Sequence, residues 1–496
     1  MPTTIALSLV SHTNVGKTTL ARTLLGRDIG EVRDAPHVTE FADAHALLQS
    51  EDGATLTLWD TPGFGDSVRL VKRLRLQGNP LGWFLSELWD RWRDRPFWAS
   101  QQVMRHVRES SDVVLYLVNA SEQPEAAGYV APEMELLHWV GKPVLVLLNQ
   151  LGPPRVAGAD AEDLRRWTEH LQRWPLVRQV LPLDAFARCW VQEGALWQAV
   201  QAALPADRQR TMDTLRQAWA RQRRQVFDGS MQTLAASLAR VATARVVLDD
   251  GGGVMGTLRQ LGSALGLGAD KPAAIGVAEQ RLAALIDGET RRSTDALIRL
   301  HGLDGHAGGV VLERLGALIE WRRKVGEGSA AVLGGLLSGA ATGLAADVAA
   351  GGLTLGGGLI AGSLLGALGA AGLARGLNVV RGTDRGWVAL TPDAMQALLR
   401  AALLRYLAVA HFGRGRGQWR DGEAPPHWGA AVDRALDDER AALAALWQGR
   451  STAFDNAGEA EALAPQLQAL LVRCTRHTLD LLYPGAWPAP ANNPAP

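Results

Sequence analysis

From residue 1 to about 205, short apolar runs alternate with stretches of helical periodicity, the order that builds a parallel sheet covered by helices. The runs predicted as strands are Thr4–Val10, Ala54–Trp59, Asp112–Val118, Pro143–Leu148 and Val177–Leu183. The third and fourth are near-continuous Val/Leu stretches, as expected of strands buried on both faces. Leu204-Pro205 interrupts the alternation. Beyond it the pattern is almost entirely helical, over roughly 208–247, 272–300, 310–325, 391–411, 427–449 and 456–482. Thr391-Pro392 is a helix start, with Thr as N-cap and Pro at the first helical position. The predicted organisation is an α/β domain over 1–205 (mostly parallel sheet, helices on both faces) and a mainly α-helical domain over 206–483. A Pro/Ala/Asn-rich tail, 484–496, is expected to be disordered.

Composition narrows the class without naming it. Of 496 residues, 47% are hydrophobic, enough for sizeable cores, which excludes wholesale disorder. Lys+Arg and Asp+Glu balance at 51 each, so no global charge argues for a nucleic-acid binder. The two cysteines, Cys189 and Cys474, exclude a disulfide scaffold and a thiolate metal cluster. No basic segment precedes an apolar stretch near Met1, so the expected setting is cytoplasmic.

Chemistry concentrates after the first strand. Ser11-His12-Thr13-Asn14-Val15-Gly16-Lys17-Thr18 leads into a helix starting Thr19-Leu20 and matches GxxxxGK[ST], except that Ser11 replaces the first glycine. The physical logic of that motif is retained. Amides of the loop and of the helix N-terminus converge on one point where an anion is favoured. Lys17 would bridge the β and γ phosphates of a nucleoside triphosphate, and the Thr18 hydroxyl would ligate Mg²⁺. His12 could contact nucleotide, but solvent exposure is its simpler expectation.

A second motif supports the first. The strand ending at Trp59 runs into Asp60-Thr61-Pro62-Gly63, a carboxylate at a strand terminus and then a glycine able to approach a γ-phosphate. Asp60 would hold Mg²⁺ through water, and the Gly63 amide would sense the terminal phosphate. Thr39, 22 residues after Lys17 in a loop-like segment, could close over Mg²⁺ when the γ-phosphate is present, which makes a two-state switch. The residues expected to carry hydrolysis are therefore Lys17, Thr39 and Gly63.

This order of motifs resembles the P-loop GTPases of the Era and TrmE type over the N-terminal 200 residues. The resemblance implies GTP and GDP as ligands, with Ser11, Asn14, Val15, Gly16, Lys17, Thr18 and Thr19 around the phosphates. It also implies Mg²⁺ held by Thr18, Thr39 and Asp60, and a K⁺ site at Asn14 that would stimulate hydrolysis. Phe64 stands where Ras-type enzymes place a water-orienting glutamine. An apolar side chain cannot do that work, so hydrolysis would be slow without a cation, partner or dimerisation. The simpler reading of Phe64 is packing beneath the switch.

The base site follows the family less closely. Asn149-Gln150-Leu151-Gly152 stands in place of NKxD, so Gly152 replaces the aspartate that grips guanine. The resemblance puts Asn149 and Gln150 at the base, with a later loop at Asp184-Ala185-Phe186. Asp184 could supply the missing carboxylate, or serve as a helix N-cap. Guanine is favoured by resemblance and not by chemistry visible in the residues. The chain also resembles a bacterial group of GTPases with a long helical C-terminal domain of unknown function, which shares the NQxG and LDAF-like patterns and implies no cellular role.

Two further segments carry readings that stay open. At about 66–110 an insertion interleaves Trp83, Trp89, Trp92 and Trp98 with Arg91, Arg93 and Arg95. Trp and Arg dominate binding hot spots, so the segment is read as an effector or self-dimer surface, a membrane-interface helix, a stacking platform for nucleic acid, or an insert packed on its own domain. Nearby acidic residues make nucleic acid the less favoured of these. Residues 329–374 form a Gly/Ala/Leu block whose only charge is Asp347. Its two arms would reach about 27 and 33 Å as helices, close to a bilayer's hydrocarbon thickness. Gly335, Gly339 and Gly343 recur every fourth residue, as in membrane helix pairs. Arg322, Arg323 and Lys324 before the block and Arg375 after it fit a hairpin inserted from the cytoplasmic side of the inner membrane. A hairpin buried within the helical domain is the alternative.

Three functions compete on this basis: a Mg²⁺-dependent, K⁺-stimulated GTP-hydrolysing switch coupled to the helical domain, an RNA or ribosome-maturation GTPase, and a non-hydrolysing nucleotide-binding scaffold.

Overall fold

The structure, a computed structural model, describes residues 3–12, 15–26, 43–75, 95–149, 159–183, 189–247, 273–303, 377–381, 386–411, 426–450 and 458–484. The chain divides into two compact units: Met1–Gln225 with Ala410–Gln418 and Tyr483–Pro496, and Val226–Val409 with Trp419–Leu482.

The first unit is built on a six-stranded sheet ordered β2-β3-β1-β4-β5-β6. The strands are β1 (Thr4–Ser11), β2 (Asp43–Gln49), β3 (Thr55–Asp60), β4 (Val113–Asn119), β5 (Val144–Asn149) and β6 (Val177–Pro182). All pair in parallel except β2, which runs antiparallel to β3 along the edge. The five predicted strands are all present. The sixth, β2, was not anticipated: its sequence DAHALLQ mixes polar residues into an edge strand that is only partly covered. Every residue of β5 is buried, as are Val113–Val118 of β4, which explains their unbroken apolar runs.

The helices of this unit are α1 (Lys17–Leu25), α2 (Ser67–Leu74), α3 (Arg95–Ser110), α4 (Val130–Val140), α5 (Ala159–Leu171) and α6 (Trp190–Ala203). The first part of α7 (Ala206–Thr243) follows them. Asp66 caps α2, its side chain accepting from the Arg69 amide at 3.1 Å. Leu70, Val71 and Leu74 of α2 join Phe97, Val103, Tyr116, Met134 and Val146 in one core. Each such side chain stabilises by roughly 1.5–3 kcal/mol on burial. That core fixes α2 and α3, the two ends of the predicted insertion, onto the domain. Trp83, Trp89 and Trp92 lie outside the described residues.

The second unit holds the rest of α7 with α8 (Ala273–Leu300), α9 (Pro392–Ala410), α10 (Pro426–Asp438), α11 (Arg440–Gln448) and α12 (Glu459–Leu482). The helix expected over 427–449 is thus two, parted at Glu439, whose carboxylate takes both Arg473 nitrogens at 2.7 and 2.8 Å. The helical pattern also hid a small antiparallel sheet, β7 (Val246–Val247), β9 (Gly386–Leu390) and β8 (Leu377–Arg381), in that order. The 310–325 helix, the 329–374 block and residues 485–496 lie outside the described residues. Among those described, no helix is long and apolar enough to cross a membrane.

Candidate functional site

Open parallel sheets bind ligands beyond the carboxyl ends of their strands, and the motif residues collect there. β1 ends at Ser11, β3 at Asp60 and β5 at Asn149. Gly16 turns the chain into α1 with φ 91° and ψ 28°, a left-handed conformation that glycine adopts without a Cβ penalty. The amides of Lys17, Thr18 and Thr19 open the helix with no intrahelical acceptor for their N–H groups, and a helix N-terminus of this kind favours an anion.

The side chains are held in place from several directions. Lys17 donates from Nζ to the Ser11 hydroxyl at 3.1 Å, and Ser11 in turn donates to the His12 carbonyl at 2.5 Å. Ser11 therefore supplies a side-chain anchor for the lysine that a glycine could not. Thr18 Oγ1 donates to Asp60 Oδ2 at 2.7 Å. Asn149 Nδ2 donates to the Val15 carbonyl at 2.8 Å, which ties the end of β5 to the turn before Gly16. Gly63 is buried next to Phe64, whose amide donates to the Ser11 carbonyl at 2.9 Å and so stitches the segment after β3 to the phosphate loop. Phe64 itself is fully buried in the core and cannot reach an attacking water, in agreement with the packing expectation.

A Mg²⁺ ion takes few protein oxygens, keeps several waters and shares the substrate's phosphates. The Thr18 hydroxyl and the Asp60 carboxylate, already adjacent, are such a pair of hard oxygen donors. They would hold the ion when a triphosphate is bound. Among the described residues no cluster of three or more His, Cys, Asp or Glu side chains offers an all-protein cage. Burial holds the Lys17 ammonium below its ordinary value of 10.5, with the charges of Asp60 and Glu133 pulling it back up. Phosphate oxygens would strengthen that upward pull.

Glu133 was not anticipated. It lies in α4 on the same face as Val130, Met134 and Leu137, all buried. Its carboxylate pairs with His12 Nδ1 at 2.7 Å and accepts from Tyr116 Oη at 2.6 Å and from Ser67 Oγ at 3.3 Å. His12 also stacks on Tyr129, with ring centroids 4.6 Å apart. The expectation that His12 faces solvent holds only in part: a third of its side chain is open, while a buried carboxylate and an aromatic ring hold the rest. One carboxylate thus joins the phosphate loop to Ser67, the first residue of α2. Burial raises the Glu133 pKa above 4.5, against the pull of His12, Tyr116 and Lys17. The signal in the sequence was a glutamate on the apolar face of a helix, which cannot be told from a surface residue until the helix is docked. Asn14, Thr39, Gln150, Asp184 and Ala185 lie outside the described residues.

Comparison with known proteins agrees with this geometry. Residues 6–150 match the family described as 50S ribosome-binding GTPase, and residues 320–470 match a separate domain of unknown function, DUF3482. No curated protein matches the chain. Among solved structures, Era in complex with MgGDPNP and nucleotides 1506–1542 of 16S ribosomal RNA is 17% identical, with a TM-score of 0.30. That match covers 41% of this chain and 58% of the other, so the chain spans little more than half of that protein's length. Aquifex aeolicus Era, as a variant bound to GDP and aluminium fluoride, is 16% identical with a TM-score of 0.29, covering 49% of this chain and 71% of that one. A variant of SsGBP is 18% identical with a TM-score of 0.23, covering 36% and 50%. The N-terminal region, residues 6–150, thus has the P-loop GTPase fold of the matched family, and a separate, largely helical region follows it, part of which matches the second family.

Proposed function

We propose that this chain is a Mg²⁺-dependent molecular switch that binds GTP and hydrolyses it slowly unless activated. The observation that supports this reading best is the contact between Thr18 and Asp60 at 2.7 Å, beside an amide-lined turn and a buried lysine. Mg²⁺ inserted between those oxygens and the phosphates would draw the end of β3 toward the phosphate loop. Lys17 would neutralise charge developing on the transferred phosphoryl oxygens, and the Gly63 amide would register the γ-phosphate. Thr39 would complete the Mg²⁺ shell. Buried Phe64 cannot orient the attacking water, and K⁺ at Asn14 is the proposed substitute. Asn149, Gln150, Asp184 and Ala185 would face the guanine.

Turnover of GTP measured in K⁺ and in Na⁺, with and without EDTA, tests the reading. Release of phosphate that needs Mg²⁺ and rises in K⁺ supports it; no release under any of these conditions favours a non-hydrolysing scaffold. ATP and XTP in competition address the base. The matched family's description favours a second reading, a ribosome-associated role, for which co-sedimentation with large ribosomal subunits in nucleotide-dependent, salt-sensitive fashion is the test. The 329–374 block extends the switch reading to a membrane contact, which full release into a carbonate wash would refute.

A further inference from the structure

The residues that follow β3 are held from several sides at once. Thr61 to Gly65 and Ser67 are buried, with only Asp66 exposed between them. Thr61 Oγ1 donates to the Leu9 carbonyl of β1 at 2.5 Å, and the Phe64 amide donates to the Ser11 carbonyl at 2.9 Å. The Gly65 amide donates to Ser100 Oγ on α3 at 3.1 Å. Ser67 Oγ donates to Glu133 Oε1 on α4 at 3.3 Å. That last contact differs from the others in what stands behind it. The same Oε1 takes His12 Nδ1 at 2.7 Å, so the residue after Ser11 and the first residue of α2 share one acceptor atom. Tyr116 of β4 donates to the second oxygen at 2.6 Å and fixes the carboxylate against the sheet.

These contacts close a ring. His12 pairs with Phe64 as a parallel bridge, the chain runs on to Ser67, and Glu133 joins Ser67 back to His12. Gly63 immediately precedes Phe64, so its place is set by the ring. Apolar side chains of similar volume would hold α4 against the sheet as well as a buried carboxylate does. What the carboxylate adds is a fixed geometry for three polar partners at once. We propose that Glu133 is a positioning residue for recognition of the γ-phosphate: by seating Ser67 and His12 on one oxygen, it keeps the Gly63 amide where a terminal phosphate would meet it. The inference rests on the GTPase reading above and adds to it a determinant of triphosphate over diphosphate. A segment ordered in advance removes an ordering cost from binding. GDP has no group at that position, so its affinity is insensitive to where Gly63 stands.

Titration of the full chain with Mg²⁺ and either GDP or GDPNP, a non-hydrolysable GTP analogue, gives the ratio of the two affinities at a temperature well below the melting transition. Glu133→Ala should lower the GDPNP-to-GDP ratio by about tenfold, roughly 1.4 kcal/mol, with most of the loss in GDPNP. Glu133→Gln keeps the shape and an acceptor oxygen, and should recover most of the ratio. Ser67→Ala removes only the arm to α2, leaves Tyr116 and His12 paired, and should lower the ratio by about threefold even if Glu133→Ala does not fold. A merely structural role for Glu133 would move the melting midpoint and leave the ratio alone. The proposal is overturned if either alanine variant, shown to be folded by circular dichroism, keeps the wild-type ratio, or if Glu133→Gln loses as much as Glu133→Ala. Wild-type protein that takes up neither nucleotide refutes the GTPase reading itself; wild type that binds both, with the ratio unmoved in the variants, refutes this inference alone.

Discussion

Glu133→Ala deletes the carboxylate on which His12, Tyr116 and Ser67 converge, and its cost can be worked out contact by contact. Tyr116 is fully buried and its hydroxyl loses the acceptor at 2.6 Å. A buried donor left without a partner costs about 1–3 kcal/mol. Ser67, 1% exposed, adds a smaller term because its contact is 3.3 Å long. His12, whose side chain is a third exposed, can turn to water and adds little. The total is about 2–4 kcal/mol, a large part of a domain's 5–15 kcal/mol. Glu133→Gln keeps the shape and one acceptor oxygen, so its cost should stay near 1 kcal/mol, about that of one hydrogen bond. Scanning calorimetry of the full chain is the assay, with the GTPase domain's transition identified as the one that MgGTP moves. At roughly 2–4 °C per kcal/mol, the alanine variant should melt about 4–16 °C below wild type and the glutamine variant only a few degrees below. Equal midpoints for the two variants would refute the reasoning, because the contacts would then carry no energy of their own.

Phe64→Gln should not raise GTP turnover, since the position is sealed in the core, and should destabilise the domain by about 3 kcal/mol or more, as large core truncations do. Asn149→Ala removes the 2.8 Å support of the Val15 carbonyl and should raise the Kd for GDP as well as GTP, measured by fluorescence titration, since that contact precedes the β-phosphate site. The Glu133 carboxyl has a folded-state pKa above its ordinary 4.5, so the stability it contributes is complete below pH 4.5 and is lost as pH rises through the folded value. Glu133→Gln should abolish that pH-dependent component in a series of melts. Cys474 is buried and its thiol is pushed up to about 12, so it should resist a thiol-specific reagent at pH 8 until the helical unit unfolds.

The parts of this site that are legible in the sequence are those whose chemistry is local. Ser11 to Thr18 follows an apolar run and opens a helix, and Asp60 closes another run, so strand, turn and anion site can be read from order and residue type alone. Asn149 could be located for the same reason, but not its task of holding the Val15 carbonyl, because that contact joins residues 134 apart. Glu133 was hidden for a related cause. A single glutamate among Val130, Met134 and Leu137 looks like an ordinary helical charge until Tyr116 and His12 are seen to enclose it. Polar residues within β2 masked an edge strand, and the short β8 and β9 were submerged in a region of helical periodicity. Arg405 sits mid-helix among apolar residues, and only the packing of α8 shows that its guanidinium is held by the Thr290 carbonyl and the Ser293 and Thr294 hydroxyls.

The turn ending at Lys17, with Asp60 opposite, is proposed to hold a magnesium triphosphate. Calorimetric titration of MgGTP into wild-type protein and into Lys17→Ala tests it most directly. Wild type should show one saturable site per chain, lost on adding EDTA and weakened at least about a hundredfold, close to 3 kcal/mol, in the variant. Absence of binding to wild type, or undiminished affinity in Lys17→Ala, would contradict it.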